Sequence, residues 1–112
     1  MSIEKWSENI WVVSLTDEPA LSEDLLTAQE AVLQAQPTPD VVVDLSGVTH
    51  VNSSNLSQLL RLRKIMIDND RRLKLAGMPD SVWAVFLTTG LDKVFDFADD
   101  LTTALTGLQI GD

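Results

Sequence analysis

The clearest pattern along the chain is a short apolar run at residues 41–45, Val-Val-Val-Asp-Leu, bounded by Pro39 before it and by Ser46 and Gly47 after it. A run of this length between turn-forming residues is typical of a strand that is covered on both faces. Residues 52–55, Asn-Ser-Ser-Asn, are all of types favoured at helix starts, and they lead directly into a segment with helical periodicity. The pattern therefore predicts a central strand followed by a hydroxyl-rich helix entrance.

Four further segments are predicted to be strands. Residues 3–6 and 10–15 are rich in Trp, Ile and Val, and they flank the polar break Ser-Glu-Asn, whose length suits a hairpin. Residues 72–75, Arg-Leu-Lys-Leu, alternate between charged and apolar side chains, which predicts a strand with one exposed face. Residues 94–97 are predicted to form the last strand.

Helical spacing of apolar residues predicts two helices in the first part of the chain. The first ends at the proline-containing residues 36–39, and its apolar positions are Leu21, Leu25, Ala28, Val32 and Ala35. The second begins at Ser53 or Ser54, and its buried side is predicted to carry Leu56, Leu59, Leu60, Met66 and Ile67.

Two more helices complete the predicted fold. The third begins near Pro79 and Asp80 and ends at Gly90, because glycine readily adopts the left-handed conformation that follows a helix end. The fourth begins at Asp99 and has its apolar positions at Leu101, Ala104, Leu105 and Leu108. Strands that alternate with helices at this spacing indicate an α/β fold: a mixed sheet of four or five strands, with a parallel core and an antiparallel N-terminal hairpin, flanked by four helices.

Composition restricts the function classes. At 112 residues the chain is long enough for a single domain, residues 1–112, whose core needs no disulfide or metal support. It contains no cysteine, which excludes disulfides and thiolate chemistry. The formal charge of −9 argues against direct binding of nucleic acid. Apolar runs are short and the N-terminus lacks a signal-peptide pattern, so we expect a cytoplasmic protein without membrane insertion.

The positive charges are concentrated in one segment. Most of the 8 Lys and Arg residues lie within residues 61–74, namely Arg61, Arg63, Lys64, Arg71, Arg72 and Lys74. Two interpretations remain open: a solvated helix surface with the strand edge that follows it, or a basic surface that binds a partner. The first is favoured, because charge runs usually mark solvated faces.

No constellation of residues indicates catalysis. His50 is the only histidine, and it lies on the same extended segment as the serines that follow it, without a third group to complete a Ser-His-Asp arrangement. The aspartates show neither the spacing of a calcium loop nor that of a paired-carboxylate site, and there is no glycine-rich phosphate loop. The chain is therefore predicted not to be an enzyme and to bind neither a metal nor a cofactor. His50 is predicted to be a surface residue, or a packed imidazole, beside the loop that leads into the second helix.

Residues 42–56 resemble a known family. The sequence Val-Val-Asp-Leu-Ser-Gly-Val-Thr, followed by Val-Asn-Ser-Ser-Asn-Leu, resembles the STAS domain, which is named for sulfate transporters and anti-sigma factor antagonists. The resemblance continues through residues 73–79 and 89–95 and is loose before residue 41. The single-domain antagonists are the members most similar in size.

The resemblance implies a function. In the family, the serine immediately before a glycine is phosphorylated by an anti-sigma factor kinase, and the matching residue here is Ser54. The chain is thus expected to be an anti-sigma factor antagonist in a bacterial partner-switching pathway, which binds a kinase-like anti-sigma factor while Ser54 is unphosphorylated. The residues expected to form the switch loop and the partner surface are Asn52, Ser53, Ser54, Asn55, His50 and Met78.

Departures from the family pattern keep a second function open. Asn52 stands where the family has an aspartate, Asn55 stands where it has a glycine, and residues 16–20 lack the family's usual glycine and aspartate arrangement. The side chain of Asn55 is expected to narrow the approach of a kinase to Ser54. If Ser53 and Ser54 serve only as helix caps, the alternative is a non-phosphorylated STAS interaction subunit that scaffolds a transporter or sensor complex through the basic segment 61–74.

Overall fold

A computed structural model describes residues 3–110, which form a five-stranded sheet with helices on both faces. The strands are β1 (Ile3–Lys5), β2 (Ile10–Thr16), β3 (Asp40–Gly47), β4 (Leu73–Ala76) and β5 (Asp96–Ala98). The helices are α1 (Ala20–Gln34), α2 (Ser53–Asp68), α3 (Asp80–Thr89) and α4 (Leu101–Gln109), with a 3-10 turn at Leu91–Lys93. The sheet order is β1-β2-β3-β4-β5, in which β1 pairs antiparallel with β2 and all other neighbours pair parallel. The predicted mixed α/β fold, its N-terminal hairpin and its central strand are confirmed.

The central strand β3 is buried on both faces of the sheet. Successive side chains of a strand point to opposite faces, and Val41, Val42 and Val43 are all fully buried. Val41 and Val43 belong to the larger core, which α1, α2 and α3 cover, whereas Val42 belongs to a smaller core beneath α4. The continuous apolar run of β3 is therefore a consequence of helices packing on both sides.

The predicted exposed face of the fourth strand is wrong. Lys74 pairs in register with Val42 and therefore lies on the face of the sheet that α4 covers, where it is almost completely buried. Its ammonium lies 3.6 Å from the carboxylate of Asp96. The alternation of charged and apolar residues suggested a half-exposed strand because the sequence does not show that α4 returns over this face.

The last strand and the last helix begin later than predicted. The strand was expected at residues 94–97, but β5 begins at Asp96, because the 3-10 turn at Leu91–Lys93 carries Phe95 into the main core first. Phe95 meets Phe86 there edge-to-face, with ring centroids 5.8 Å apart. The cap of α4 is Asp100 rather than Asp99, because the Asp100 carboxylate accepts a hydrogen bond from the Thr103 backbone N–H at 2.7 Å.

The first and third helices lie where the pattern placed them. The third ends at Gly90, whose φ of 78° is the left-handed geometry that a glycine after a helix end supplies. None of the helices in residues 3–110 is both long enough and apolar enough to cross a bilayer.

The buried face of α2 is rotated around the helix axis relative to the predicted face. Leu60 and Ile67 are 36% and 54% exposed, whereas Leu62, which is not among the predicted buried positions, is fully buried. The buried positions Leu59, Leu62 and Met66 follow the spacing of one helix face. Because α2 is apolar on more than half of its circumference, periodicity alone could not show which of these residues meets the sheet.

We expect Leu62→Ala to lower the free energy of unfolding by about 2–5 kcal/mol, because it removes buried methyl groups and leaves a cavity. Leu60→Ala, the same chemical change at an exposed position of α2, should lower the free energy of unfolding by about 1 kcal/mol or less. Urea unfolding of the two variants checks the assignment. Equal losses of stability would contradict it.

Candidate functional site

The entrance of α2 is capped by asparagines, not by serines. Asn52 is the N-cap: its side-chain oxygen accepts a hydrogen bond from the Asn55 backbone N–H at 2.8 Å. The Asn55 side-chain oxygen in turn accepts one from the Asn52 backbone N–H at 3.0 Å, which completes a reciprocal capping box. Ser53 and Ser54 are exposed, and within residues 3–110 their hydroxyls take part in no hydrogen bond. The alternative interpretation of these two serines as caps is therefore wrong.

The side chain of Asn55 is buried and links α2 to the start of α1. The residue is only 1% exposed. Its amide nitrogen lies 3.2 Å from a carboxylate oxygen of Glu18 and 3.3 Å from the hydroxyl of Ser22. The expectation that this side chain narrows the approach to Ser54 is wrong, because its polar atoms are engaged with Asn52, Glu18 and Ser22.

Asp17 ties the loop before α1 to the loop before α2. Its carboxylate accepts hydrogen bonds from the Thr49 backbone N–H at 2.7 Å, from the Thr49 hydroxyl at 2.6 Å and from the His50 backbone N–H at 3.2 Å. These hydrogen bonds, the one from the Thr49 hydroxyl most of all, hold the pKa of Asp17 below its usual value. Residues 16–20, in which the sequence showed only a departure from the family pattern, thus position the loop that leads to Ser54.

Glu18 forms a second connection at the same place. Its carboxylate accepts hydrogen bonds from the hydroxyl and the backbone N–H of Ser22 as well as from Asn55. The hydroxyl of Ser22 contributes most to holding the pKa of Glu18 below its usual value. Two ionised carboxylates therefore lie beside the N-terminus of α2. Together with the segment 50–52 and Asn55 they line a shallow depression of about 300 Å³.

Of the other two predicted site residues, His50 belongs to this loop, whereas Met78 precedes α3. His50 is exposed, and its Nδ1 lies 2.8 Å from the Thr49 hydroxyl, not on Ser53 or Ser54. Met78, between β4 and α3, is half-buried against the main core. The first turn of α3 reaches the loop through Ser81, whose hydroxyl donates to the Thr49 carbonyl oxygen at 2.9 Å. The sequence offered no signal for the roles of Ser22 and Ser81, because both depend on contacts more than thirty residues away.

The basic segment 61–74 does not form one surface. Arg61 and Lys64 lie on α2, while the side chain of Lys74 lies on the opposite face of the sheet. Most of its cations have partners. Ion pairs join Lys64 to Asp68, Arg71 to Asp40, and both Arg72 and Lys74 to Asp96, and the Arg63 side chain donates a hydrogen bond to the Val94 carbonyl oxygen. Within residues 3–110, only Arg61 of this set is free of an ion pair or hydrogen bond. The interpretation of these charges as ordinary helix and strand surface is favoured. In the same range, no group of three His, Cys, Asp or Glu side chains could hold a metal ion.

Comparison with known proteins identifies the family of this chain. A family model described as "Mlab, STAS domain" matches residues 7–103. The chain belongs to the STAS domain family. No curated protein sequence matches it.

Solved structures share the fold at low sequence identity. An anti-sigma-factor antagonist (STAS) domain protein from Planctomyces limnophilus is 22% identical with a TM-score of 0.82, over 97% of this chain and 99% of its own. The anti-sigma factor antagonist SpoIIAA in its unphosphorylated form is 14% identical with a TM-score of 0.72, over 99% and 98%. A sulfate transporter family protein from Wolinella succinogenes is 13% identical with a TM-score of 0.75, over 91% and 84%. At these identities the likeness establishes the fold of this STAS domain and no specific activity.

We expect Asn55→Ala to lower the stability of the STAS domain by about 1–3 kcal/mol, because it removes half of the capping box and leaves buried polar groups without partners. Ser53→Ala, two residues earlier and exposed, should change stability by about 0.5 kcal/mol or less. Urea unfolding at neutral pH compares the two variants. A neutral effect of Asn55→Ala would show that the buried network contributes nothing.

The lowered pKa of Asp17 predicts a pH-dependent effect of Asp17→Asn. A carboxylate with a lowered pKa stabilises the folded state while it is ionised, so its contribution is complete above the unfolded pKa of about 3.8. That contribution is lost as the pH falls through the still lower folded pKa. Asp17→Asn should therefore unfold at a lower urea concentration than wild type at pH 7, and the gap should shrink below pH 3.8. Glu4→Gln, at an exposed position of β1, is the control. A gap that is equally wide at both pH values would contradict the carboxylate's role.

Proposed function

We propose that residues 1–112 act as a single cytoplasmic STAS domain that is an anti-sigma factor antagonist, binds a kinase-like anti-sigma factor, and is regulated by phosphorylation of Ser54. The observation that carries this proposal is the state of the Ser54 hydroxyl. It is exposed on the first turn of α2, and the capping role that would otherwise occupy a serine there is performed by Asn52 and Asn55. Ser54 is therefore available to a kinase without loss of the helix cap.

The surroundings of Ser54 support a switch driven by charge. A phosphate adds about −1.5 to −2 charge at neutral pH. The helix N-terminus favours such a charge by about 0.3–1 kcal/mol, but Asp17 and Glu18 lie at the same end of the molecule and repel it. A partner surface that fits the neutral serine would have to desolvate the new charge beside two carboxylates. Phosphorylation should therefore release the partner, unless that partner places arginines there.

The second candidate is a constitutive STAS interaction subunit in a transporter or sensor complex. The description "Mlab, STAS domain" of the matching family model and the likeness to a sulfate transporter family protein are compatible with it. Its proposed binding surface, the basic segment, has little support, because most of those cations are paired and they lie on both faces of the sheet. The first candidate is therefore favoured.

The decisive experiment measures phosphate transfer and binding with the same partner. We expect a purified histidine-kinase-like anti-sigma factor, sought first among neighbouring genes, to add one phosphate from Mg-ATP to wild type and to Ser53→Ala. Ser54→Ala should receive none. Ser54→Asp should bind the partner at least tenfold more weakly than wild type, because it places a fixed negative charge where the phosphate would lie.

The outcomes separate the two candidates. A partner that binds wild type and Ser54→Asp equally and transfers no phosphate would favour the constitutive subunit. Phosphate that remains on Ser54→Ala would assign the modification to another residue. Asn55→Gly is unsuitable for testing access to Ser54, because that side chain is buried and part of the cap.

A further inference from the structure

The two helices α1 and α2 meet along a polar seam formed by Ser22, Gln29 and Gln58. The side chain of Gln29 donates to the Gln58 carbonyl oxygen at 3.1 Å, and the side chain of Gln58 donates to the Ser22 carbonyl oxygen at 2.9 Å. The side chains of Gln29 and Gln58 therefore show which stripe of each helix faces the other. Residues three or four positions from these glutamines on the same helix lie along the same stripes.

On α1 the stripe beside the seam carries two exposed leucines. Leu26 and Leu33 lie three positions before and four positions after Gln29, and they are 53% and 60% exposed. They are spaced by two helical turns, about 10 Å along the axis. On α2 the matching stripe carries Ser54, four positions before Gln58, and Arg61 and Ile65 after it. The proposed phosphorylation site and the exposed leucines thus open onto the same seam.

Charged residues border this surface with opposite signs on its two sides. Glu23 and Glu30, each three positions before one of the leucines, are exposed along the outer side of the α1 stripe. Arg61, on the α2 side, is exposed and has no ion-pair partner within residues 3–110. Across the seam the surface is therefore acidic, then apolar, then basic.

We propose that this surface, defined by Leu26, Leu33, Ile65, Arg61 and the Glu23–Glu30 side, is the docking site for an amphipathic helix of the protein partner. The helix would place an apolar strip with i and i+7 anchors on the leucines, which is how helices bind grooves between other helices. Basic residues on one flank would meet Glu23 and Glu30, and a carboxylate on the other would meet Arg61. The inference rests on the proposed function, because it assigns the surface to the same partner that reads Ser54.

A second copy of the chain is a poorer occupant. In a symmetric dimer, Glu23 and Glu30 of one copy would face Arg61 of the other copy. One cation would then have to neutralise two carboxylates. A chain with a net charge of −9 also repels itself. A partner helix with a basic flank satisfies both carboxylates and the arginine.

The test measures binding of the kinase-like anti-sigma factor to matched variants. We expect Leu26→Ser/Leu33→Ser to weaken binding at least tenfold with only a small loss of stability, because both side chains are more than half exposed. Leu87→Ser, at a 52% exposed leucine on α3, should leave binding unchanged. Glu23→Lys/Glu30→Lys should also weaken binding, whereas Glu4→Lys/Glu8→Lys, which changes the net charge equally in the N-terminal hairpin, should not.

A second readout separates contact from indirect effects. Because the chain has no cysteine, single Leu33→Cys and Leu87→Cys variants can be labelled with an environment-sensitive fluorophore. Only the label at position 33 should report burial when the partner is added.

Each result has a distinct meaning. If Ser54→Asp weakens binding and the leucine variant does not, the docking surface is wrong and the proposed function stands. If the wild-type protein binds no kinase-like anti-sigma factor, both the docking surface and the proposed function are wrong. If wild type self-associates and the leucine variant does not, the surface belongs to a second copy and the proposal is overturned.

Discussion

The burial of β3 on both faces is the constraint on which the other elements depend. A strand whose valines alternate between two cores needs helices on two sides, and α4 therefore crosses back over the sheet after β5. Because β2 and β3 are parallel neighbours, their carboxyl ends lie at one edge of the sheet. The loops that follow these strands meet there, which brings Asp17 to Thr49 and Glu18 to Asn55. The candidate site is thus a consequence of strand order.

The two asparagines at the start of α2 change how the helix is capped, not whether it is. A buried polar side chain is tolerated when its donors and acceptors are satisfied, and Asn55 meets this condition through Asn52, Glu18 and Ser22. Serine is a common residue at the N-cap position itself, but here Asn52 occupies that position. Within residues 3–110 the hydroxyls of Ser53 and Ser54 have no hydrogen-bond partner, so the departure from the family pattern does not oppose the role proposed for Ser54.

The sequence predicted those features that depend on local chemistry or on a strand's own composition. The apolar run of β3, the hairpin and the glycine after α3 are of this kind. It failed where a neighbour distant in the chain decides: Lys74 is buried because α4 covers it, and Leu62 replaces Leu60 because of how α2 is rotated against the sheet. Asp17 could not be assigned a role, because its partners lie 32 and 33 residues away and no spacing rule connects them.

The acidity of the site determines where the counter-charge of a phosphate on Ser54 would come from. The pKa values of Asp17 and Glu18 are lowered, so both remain ionised at neutral pH and offer no cation to the phosphate. Arg61, a cation on the same stripe, has no ion-pair partner within residues 3–110. It lies seven residues along α2 from Ser54, about 10 Å away, which is close to one screening length at physiological salt. Internal neutralisation is therefore weak. In the proposed switch, the uncompensated charge would therefore face the partner. A partner surface that bound the neutral serine would then lose affinity without any change in the fold of the STAS domain.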